Sequence, residues 1–360
     1  MSVSKIVLTG GPCAGKTTAL SIIEQKLTEK GYKVIVVSES ATEMMQSGFS
    51  SSDLGVKDFE NYIIDWQIAK ENIAFQAADH FQKAIILLDR GIPDCMAYMN
   101  KNDYIDALKR HGLSLQETLN RYDAVFHLVT TADGAEKFYT CANNTVRKEK
   151  DLESARKSDK ATQNAYIGHP HLRVIDNETD FSGKITKLCS EIFNALGEPV
   201  PLEIERKFLI QKPTDEKLKQ LGAVEQKITQ AYLTPNGKTE RRIRQRGTDS
   251  DFTYYYTEKT TLSDLKRIER ERKITKNEYL NLLTEVKKIL HKNRWCFLQN
   301  GLYFELDTFD DAPDKALLEI ELNQENQQIK LPDWCQIIKE VTNDSNYRNT
   351  AIAQNGFPKG

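Results

Sequence analysis

The first half of the chain alternates short apolar runs with longer segments in which apolar residues recur at helical spacing. The short runs predict buried β-strands, and the helical spacing predicts amphipathic helices. Strands are predicted at 5–9, 33–37, 84–88, 124–129 and 172–175, and helices at 18–29, 59–83, 104–120 and 181–196. Apolar strands separated by helices are typical of a parallel sheet covered on both faces. We therefore expect an α/β, doubly wound first domain.

After residue 200 the period changes to two, because charged residues alternate with apolar ones. The run Leu202–Phe208 is the first example, with charges at 203, 205 and 207. Similar charged faces occur at 242–246, 255–259, 267–273, 292–294, 305–307 and 319–321, and a helix is predicted at 277–290. Alternation of this kind predicts strands with one charged face. We expect an α+β antiparallel sheet, with helices on its apolar side.

The charges of the second half are sorted by sign. Acids concentrate on the first and last predicted strands, and bases concentrate on the middle ones. The acids are Glu203, Glu205, Glu305, Asp307, Glu319 and Glu321, and the bases are Arg242, Arg244, Arg246, Lys259, Lys292 and Arg294. A surface that only keeps a protein soluble intersperses both signs. If the strands close, this order makes a barrel with a charged lumen, in which basic walls suit a polyphosphate and carboxylates suit Mg²⁺ or Mn²⁺.

A stop signal separates the two halves. Gly197, Pro199 and Pro201 follow the last predicted helix of the first half, and this combination ends a helix and stiffens a short connector. The predicted domains are therefore 1–198 and 199–360.

Composition excludes several classes of protein. The net charge is -2 over 360 residues, so we expect no nucleic acid as the main partner. The six cysteines form no C-x-x-C pair, which favours reduced thiols in a cytoplasmic protein. No signal peptide or membrane-spanning segment is predicted, so any membrane contact would be peripheral.

A phosphate-binding motif lies between the first predicted strand and the first predicted helix. The run Gly10–Thr17 matches G-x-x-x-x-G-K-[ST], the P-loop. In this setting backbone N–H groups and a helix N-terminus bind an anion, so a chance glycine turn is the weaker interpretation. Lys16 should reach the terminal phosphates of ATP or GTP, and Thr17 should bind Mg²⁺. The predicted phosphate-binding residues here are Gly10, Gly11, Pro12, Cys13, Ala14, Gly15, Lys16, Thr17 and Thr18.

Three charged residues follow predicted strands of the first half. Asp89 ends an apolar strand, where it could hold Mg²⁺ or merely cap the next turn. Arg90 could contact phosphate or a neighbouring carboxylate. Glu39 could take the proton of an acceptor hydroxyl or be a surface turn residue. Ligands bind at the carboxyl ends of parallel strands, which is where all three residues lie.

The segment 140–165 is rich in charge and includes Arg147 and Arg156. A mobile basic segment can close over a transferred phosphate, although a solvated helix would have the same composition. His169 and His171 flank a proline, and we interpret them as structural or base-contacting rather than as a metal site.

The motifs GGPCAGKTT, SESAT, LLDRGIPD, NNTVRKE and GHPHLRVIDN together resemble the AAA_28 group of P-loop domains over residues 1–198. That group resembles small nucleoside and nucleotide kinases, including the ribosylnicotinamide kinase domain. By this resemblance Glu39 lies where deoxynucleoside kinases have their catalytic carboxylate. Asp89 and Arg90 lie where those kinases have an E-R-S-type motif.

The second half resembles the CYTH superfamily of triphosphate tunnel metalloenzymes. Glu203-Ile204-Glu205-Arg206-Lys207 matches its E-x-E-x-K signature, and 340–347 resembles its closing E-V-T-x-D segment. The family includes inorganic triphosphatases, thiamine triphosphatases and class IV adenylyl cyclases. The resemblance implies metal binding by Glu203, Glu205, Glu319 and Glu321, and triphosphate binding by Lys207, Arg242, Arg244, Lys259, Lys292 and Arg294.

The combination of both domains resembles the TRPL translocation defect type of protein, whose members bind GTP and phosphoinositides and take part in trafficking. Two classes of function follow. The first is a metal-dependent triphosphate hydrolase fused to a nucleotide-binding or kinase domain, and the second is a nucleotide-regulated module that binds phosphoinositide headgroups. The predicted catalytic residues are Glu205, Lys207, Lys16, Glu39 and Asp89.

Overall fold

The structure is a computed structural model. It describes residues 3–139, 151–198, 202–237, 239–248, 251–261, 266–286, 288–322 and 327–358, without the side chains of 202, 203, 266 and 267. The chain divides into two compact units, Met1–Ile192 and Phe193–Gly360. The predicted boundary near residue 199 lies outside the described residues and stays a prediction.

The first unit contains a five-stranded parallel sheet. Its strands are β1 (Ser4–Gly10), β2 (Lys33–Val37), β3 (Ala84–Asp89), β4 (Ala124–Leu128) and β5 (Leu172–Ile175). Their order in the sheet is β2-β3-β1-β4-β5, and every neighbouring pair is parallel. The residues of β3 are all buried, as expected for a strand covered on both faces. The predicted α/β fold class is confirmed.

Helices connect these strands. They are α1 (Lys16–Glu29), α2 (Ser40–Gln46), α3 (Ser51–Leu54), α4 (Val56–Ala78), α5 (Lys101–Arg110), α6 (Leu115–Asn120), α7 (Leu152–Asn164) and α8 (Phe181–Ala195). The helix predicted at 104–120 is two helices. Gly112 adopts a φ of 65° after α5, and Ser114 starts α6 by accepting a hydrogen bond from the Glu117 N–H. A glycine stop followed by a new N-cap therefore overrides the continuous apolar pattern.

The second unit is dominated by antiparallel strands. They are β6 (Leu202–Gln211), β7 (Val224–Tyr232), β8 (Thr239–Thr248), β9 (Asp251–Thr261), β10 (Lys266–Ile274), β11 (Lys288–Gln299), β12 (Leu302–Thr308), β13 (Lys315–Glu321) and β14 (Ile337–Glu340). Their order is β10-β9-β8-β7-β11-β12-β13-β6-β14, and β10 also pairs with β6 at residues 202–204. That pairing closes eight strands into a ring, so the predicted antiparallel barrel is confirmed.

The two faces of the barrel wall differ in polarity. Outward residues of β6, β12 and β13, such as Phe208, Phe304 and Leu318, form one apolar cluster. The helix α9 (Asp215–Gln220) packs on this cluster through Leu218, and α10 (Lys276–Leu283) packs on another outward cluster through Tyr279. The predicted charged residues whose side chains are described alternate with these apolar ones and so lie on the opposite, inward face.

Two features of the second unit differ from the prediction. The helix expected at 277–290 ends at Leu283, because Lys288–Cys296 pair with β7 as part of a strand. The last helix, α11 (Asn349–Asn355), belongs to a C-terminal segment that packs against inward apolar residues such as Leu209 and Leu317. This apolar cluster covers one end of the lumen. No helix in the described parts of the chain is long and apolar enough to cross a membrane.

Candidate functional sites

The P-loop connects β1 to α1, and its backbone has a positive φ at two glycines. Gly10 has a φ of 145°, and a Cβ there would lie 2.1 Å from the Leu128 carbonyl oxygen. Gly15, with a φ of 87°, is the N-cap residue of α1, so no side chain accepts a hydrogen bond at this N-cap. Free N–H groups at a helix start favour an anion. The geometry is that of a phosphate-binding loop.

Lys16 lies over its own loop. Its Nζ donates hydrogen bonds to the Gly10 and Gly11 carbonyl oxygens, at 3.0 and 3.2 Å. Burial lowers the pKa of Lys16, and nearby Arg90 lowers it further. Thr17 and Thr18, the next two residues, are exposed in the first turn of α1. The structure therefore places the Lys16 ammonium group against the carbonyl oxygens of its own loop, and its predicted contact with the terminal phosphates stays a prediction.

Asp89 ends β3 beside this loop. It is buried, and no described residue forms a hydrogen bond with its Oδ1 atom. Burial raises the pKa of Asp89, Lys16 and Arg90 oppose the shift, and Glu39 adds to it. An unsatisfied buried carboxylate oxygen is costly, and a hard cation would satisfy it. The residue thus fits the predicted Mg²⁺ role, which stays a prediction.

Arg90 holds two carboxylates together. Its Nε donates to Glu39 Oε1 at 2.6 Å, and its Nη1 donates to Asp94 Oδ1 at 2.9 Å. Burial favours a higher pKa for Glu39, but Arg90, Lys16 and a hydrogen bond from Thr42 lower it to about 2. A carboxylate with so low a pKa is a weak proton acceptor near neutral pH. Arg90 therefore contacts neighbouring carboxylates, and the catalytic role of Glu39 stays a prediction.

The second site is the lumen of the barrel. The predicted cations lie on its inward face, and most of them are buried. The buried ones are Lys207, Arg242, Arg244, Lys292 and Arg294, and Arg246 is 0% exposed. Lys259, on β9, is partly buried. The strand register therefore gathers basic residues that are more than 80 positions apart in the sequence.

Carboxylates of β12 and β13 pair with cations of β6 and β11. Lys207 Nζ lies 2.7 Å from Glu319 Oε1, and Lys292 Nζ lies 2.5 Å from Asp307 Oδ2. Arg294 donates to Asp307 at 2.6 and 2.7 Å, to Glu319 at 2.5 Å and to Glu305. Burial alone would raise the pKa of Glu319, but Lys207 and Arg294 hold it well below its ordinary value.

Two carboxylates of β10 pair with Arg242, Arg244 and Lys259, whereas Arg246 donates a hydrogen bond to Cys296 Sγ at 3.7 Å. Glu269 lies 3.1 Å from Arg242 and 2.7 Å from Lys259, and Glu271 lies 2.9 Å from Arg244. Neither glutamate is among the predicted site residues. The antiparallel register could have identified them, since Glu269 is directly opposite Lys259. These pairs leave the basic lumen close to neutral.

The predicted metal ligands lie on neighbouring strands. Glu205 is opposite Glu321, and Glu319 is opposite both Lys207 and Glu305. Glu321 is exposed, and the Glu203 side chain lies outside the described residues. Among the side chains that the structure describes, no three His, Cys, Asp or Glu residues form a group with metal-binding geometry. The metal site at 203, 205, 319 and 321 therefore stays a prediction.

Sequence reasoning also missed Tyr232, the last residue of β7. It is opposite Arg242, and its buried hydroxyl has no hydrogen-bond partner among the described residues. Burial raises the pKa of Tyr232, whereas Arg242 opposes the shift. The pKa of Lys292 is also changed, because burial and the nearby charge of Arg294 lower it to about 8. An unpartnered hydroxyl among cations can donate a hydrogen bond to an anion.

A comparison with protein families decides the identity of the first unit. A model of AAA_28, described as an AAA domain, matches residues 5–184, which is half of the chain. The chain belongs to the AAA_28 family. No curated protein matches it.

Solved structures are similar to part of the chain. The inorganic triphosphatase NE1496 is 31% identical, over 42% of this chain and 93% of that one, with a TM-score of 0.31. A second structure, of the hypothetical protein NE1496, is 31% identical over 42% of this chain and 97% of that one, with a TM-score of 0.30. The PH1012 protein from Pyrococcus horikoshii OT3 is 22% identical over 34% of this chain and 80% of that one, with a TM-score of 0.28. All three scores are below 0.5, so the function proposed for the barrel rests on its own residues.

Within the AAA_28 region, Asp159 of α7 is a residue that no sequence motif indicated. Its Oδ1 accepts hydrogen bonds from the N–H groups of Gly11 and Thr130, at 2.7 and 3.1 Å, and lies 3.1 Å from His127 Nε2. A Cβ at Gly11 would lie 2.6 Å from the same oxygen. Asp159 therefore explains the second glycine of the AAA_28 P-loop.

Other predicted residues of the AAA_28 region are less close to the loop. Arg156 forms an exposed ion pair with Glu136 at 2.9 Å, and Arg147 lies outside the described residues. Their phosphate-binding roles stay predictions. His169 is buried, 3.1 Å from the Tyr122 carbonyl oxygen, and it accepts a hydrogen bond from the His171 N–H. Of its two interpretations, the structural one fits these contacts.

Proposed function

We propose that this protein handles phosphates at two sites. The AAA_28 unit binds ATP or GTP together with Mg²⁺, and the barrel binds and hydrolyses a triphosphate with a divalent metal. The observation that carries the barrel's part is a closed lumen lined by buried cations, among them Lys207, Arg244 and Arg294. Buried charges are costly unless they are paired, so such a concentration calls for an anionic ligand or for carboxylates in its place.

The carboxylates of β10 occupy positions that phosphate oxygens could take. Glu269 and Glu271 contact Arg242, Lys259 and Arg244 through charge-assisted hydrogen bonds. Guanidinium groups bind phosphate with the same donor geometry that they offer to carboxylates. An elongated triphosphate entering the lumen would exchange these contacts for its own. The hydroxyl of Tyr232 supplies a further donor beside Arg242.

A divalent metal follows from the charge balance. Most cations of the lumen are already paired with carboxylates, so a highly charged triphosphate adds excess negative charge. Glu205, Glu319 and Glu321, with Glu203, would hold Mg²⁺ or Mn²⁺ by the CYTH resemblance. When bound, the metal polarises a phosphoryl group, and the surrounding basic side chains stabilise charge on its oxygens.

The P-loop unit supplies the nucleotide site. Its loop N–H groups and Lys16 bind phosphates, and Thr17 and Asp89 would hold Mg²⁺. A kinase function would need a proton acceptor near the transferred phosphate, and the low pKa of Glu39 speaks against that residue. Binding of phosphoinositide headgroups, the trafficking alternative, would use the same lumen cations without turnover.

The test is metal-dependent phosphate release from tripolyphosphate, ATP and GTP by the full chain. We compare the wild type with Glu205→Gln and Lys16→Ala, and we use exposed Glu285→Gln as the matched control. We expect tripolyphosphate hydrolysis to be lost in Glu205→Gln and kept in Lys16→Ala and in the control. Hydrolysis lost only in Lys16→Ala would move the activity to the P-loop. No hydrolysis in the wild type would favour the lipid-binding or kinase alternatives.

A further inference from the structure

An exposed aromatic ring lies against the P-loop. Phe181 is the first residue of α8 and is 45% exposed. Its Cε2 atom would lie 2.6 Å from a Cβ at Gly15, so the ring packs directly over this glycine. Because α8 follows β5, Phe181 comes from the same edge of the sheet as the phosphate-binding loop. The ring thus borders the anion site.

The core does not account for this ring. The apolar face of α8 continues through Ile185, Leu188 and Ile192, and all three are buried. Phe181 lies one turn before Ile185 on that face, where it leaves much of its ring in solvent. Single exposed aromatic residues are common on proteins, as Phe75 shows, so the position of this ring over the P-loop glycine carries the argument rather than its exposure.

The loop that follows β4, at residues 130–134, is held by hydrogen bonds beside the first turn of α8. Lys184 Nζ donates to the Val129 carbonyl oxygen and to Asn177 Oδ1, both at 2.7 Å. Asn177 Nδ2 in turn donates to the carbonyl oxygens of Thr130 and Asp133, at 2.8 and 2.7 Å. These bonds hold the loop that follows β4 against the start of α8. The buried Thr131 hydroxyl in this loop has no hydrogen-bond partner among the described residues.

We propose that Phe181 is the base-stacking residue of the nucleotide site, with the loop at 130–134 along the edge of the base. The inference rests on the proposed binding of a nucleotide to the P-loop. Phosphates bound at Gly15–Thr17 leave the base and sugar beside this loop, and the ring over Gly15 offers a flat apolar surface there. Stacking is available to every base, so Phe181 selects nucleotides over inorganic polyphosphates without choosing between adenine and guanine.

The test is calorimetric titration of the full chain, with Mg²⁺, by ADP, GDP and pyrophosphate. The part of the binding that Lys16→Ala removes defines the P-loop site. We expect Phe181→Ala to weaken this part by about tenfold for ADP and for GDP, because one stacked base is lost. Pyrophosphate has no base, so its affinity should stay unchanged. Phe181→Trp should bind both nucleotides as the wild type does.

Phe75→Ala is the matched control. Phe75 is 46% exposed on α4, and Lys5, near the start of β1, lies over its ring, so it is at the edge of the sheet opposite the P-loop. This change should leave all three ligands unaffected. An equal loss for nucleotides and pyrophosphate in Phe181→Ala, or no loss at all, would overturn the stacking role. If Lys16→Ala removes no nucleotide binding, the nucleotide site itself is refuted, and the stacking role is refuted with it.

Discussion

The two proposed anion sites are built from different parts of the chain. The first unit uses the backbone of one continuous loop, Gly10–Thr17, and a single lysine. The proposed site of the second unit uses long side chains from strands distributed over more than 100 residues, and most of its cations are paired with carboxylates. The loop depends on backbone conformation, whereas the lumen depends on charge pairing and strand register. The two sites should therefore fail for different reasons when residues are changed.

The largest effect should follow from removing one lumen carboxylate. Asp307 is 0% exposed and contacts both Lys292 and Arg294. Asp307→Asn keeps the shape of the side chain but leaves two buried cations without their shared counter-charge. We expect the second unit to lose about 3–5 kcal/mol in its free energy of unfolding. Denaturant titration measures the loss, and exposed Asp310→Asn should change stability by less than about 0.5 kcal/mol. Equal effects of the two changes would show that pairing does not stabilise the lumen.

The next effect tests the backbone of the P-loop. Gly10→Ala introduces a Cβ at 2.1 Å from the Leu128 carbonyl oxygen, at a φ of 145°. We expect nucleotide binding to be lost and the first unit to be destabilised by about 2–3 kcal/mol. Gly31→Ala is the control, since Gly31 has a φ of 81° but open space around it. Its cost should be about 1 kcal/mol, without loss of binding. Thermal unfolding and nucleotide titration compare the stability and the nucleotide affinity of the two variants. Similar losses in both would contradict the role of the close contact between residue 10 and the Leu128 carbonyl oxygen.

A third prediction tests whether charge pairing is confined to the barrel. The pKa of Glu39 in the folded first unit is about 2, below its ordinary 4.5. A lowered pKa stabilises the fold above about pH 4.5, and this stabilisation is lost as the pH falls towards 2. We expect Glu39→Gln to remove about 2 kcal/mol at pH 7 and to make stability less dependent on pH between these values. Unfolding curves at pH 2.5, 4 and 7 measure the free energy of unfolding of both proteins. A difference between variant and wild type that is the same at all three pH values would refute the pairing with Arg90.

The smallest effect concerns the occupant of the lumen. Glu271 contacts Arg244 and accepts a hydrogen bond from Thr257. Glu271→Gln keeps a side chain of the same size but removes a negative charge that competes with phosphate. We expect metal-free tripolyphosphate to bind about tenfold more tightly, since a close like charge is removed. Calorimetry measures the change. Weaker binding would mean that Glu271 supports the ligand rather than competes with it.

The parts that the sequence predicts best are those built from neighbouring residues. The P-loop lies in one run, and the alternation around Glu205 and Lys207 gave both the strand and its charged face. The order of signs along the strands predicted a charged lumen on the condition that the strands close, and the pairing of β10 with β6 meets that condition. Local pattern and short spacing are therefore sufficient for the fold class of both units.

Contacts between distant residues were not predictable in this way. Asp159 is 148 positions from Gly11, and its packing against the loop depends on how α7 crosses the sheet. Glu269 was recognised only as part of a charged strand, because its partners Arg242 and Lys259 are fixed by register. The predicted end of the helix at residue 290 was wrong for the same reason, because residues 288–290 pair with a distant strand despite their apolar spacing.

One measurement tests the central claim of two separate phosphate sites. ADP with Mg²⁺ and metal-free tripolyphosphate are each titrated calorimetrically into the wild type, Lys16→Ala and Arg244→Gln. We predict that Lys16→Ala loses ADP binding and keeps tripolyphosphate binding. We predict that Arg244→Gln loses tripolyphosphate binding and keeps ADP binding. Loss of both ligands in a single variant, with the fold intact by circular dichroism, would contradict the claim that the loop and the lumen bind phosphate independently.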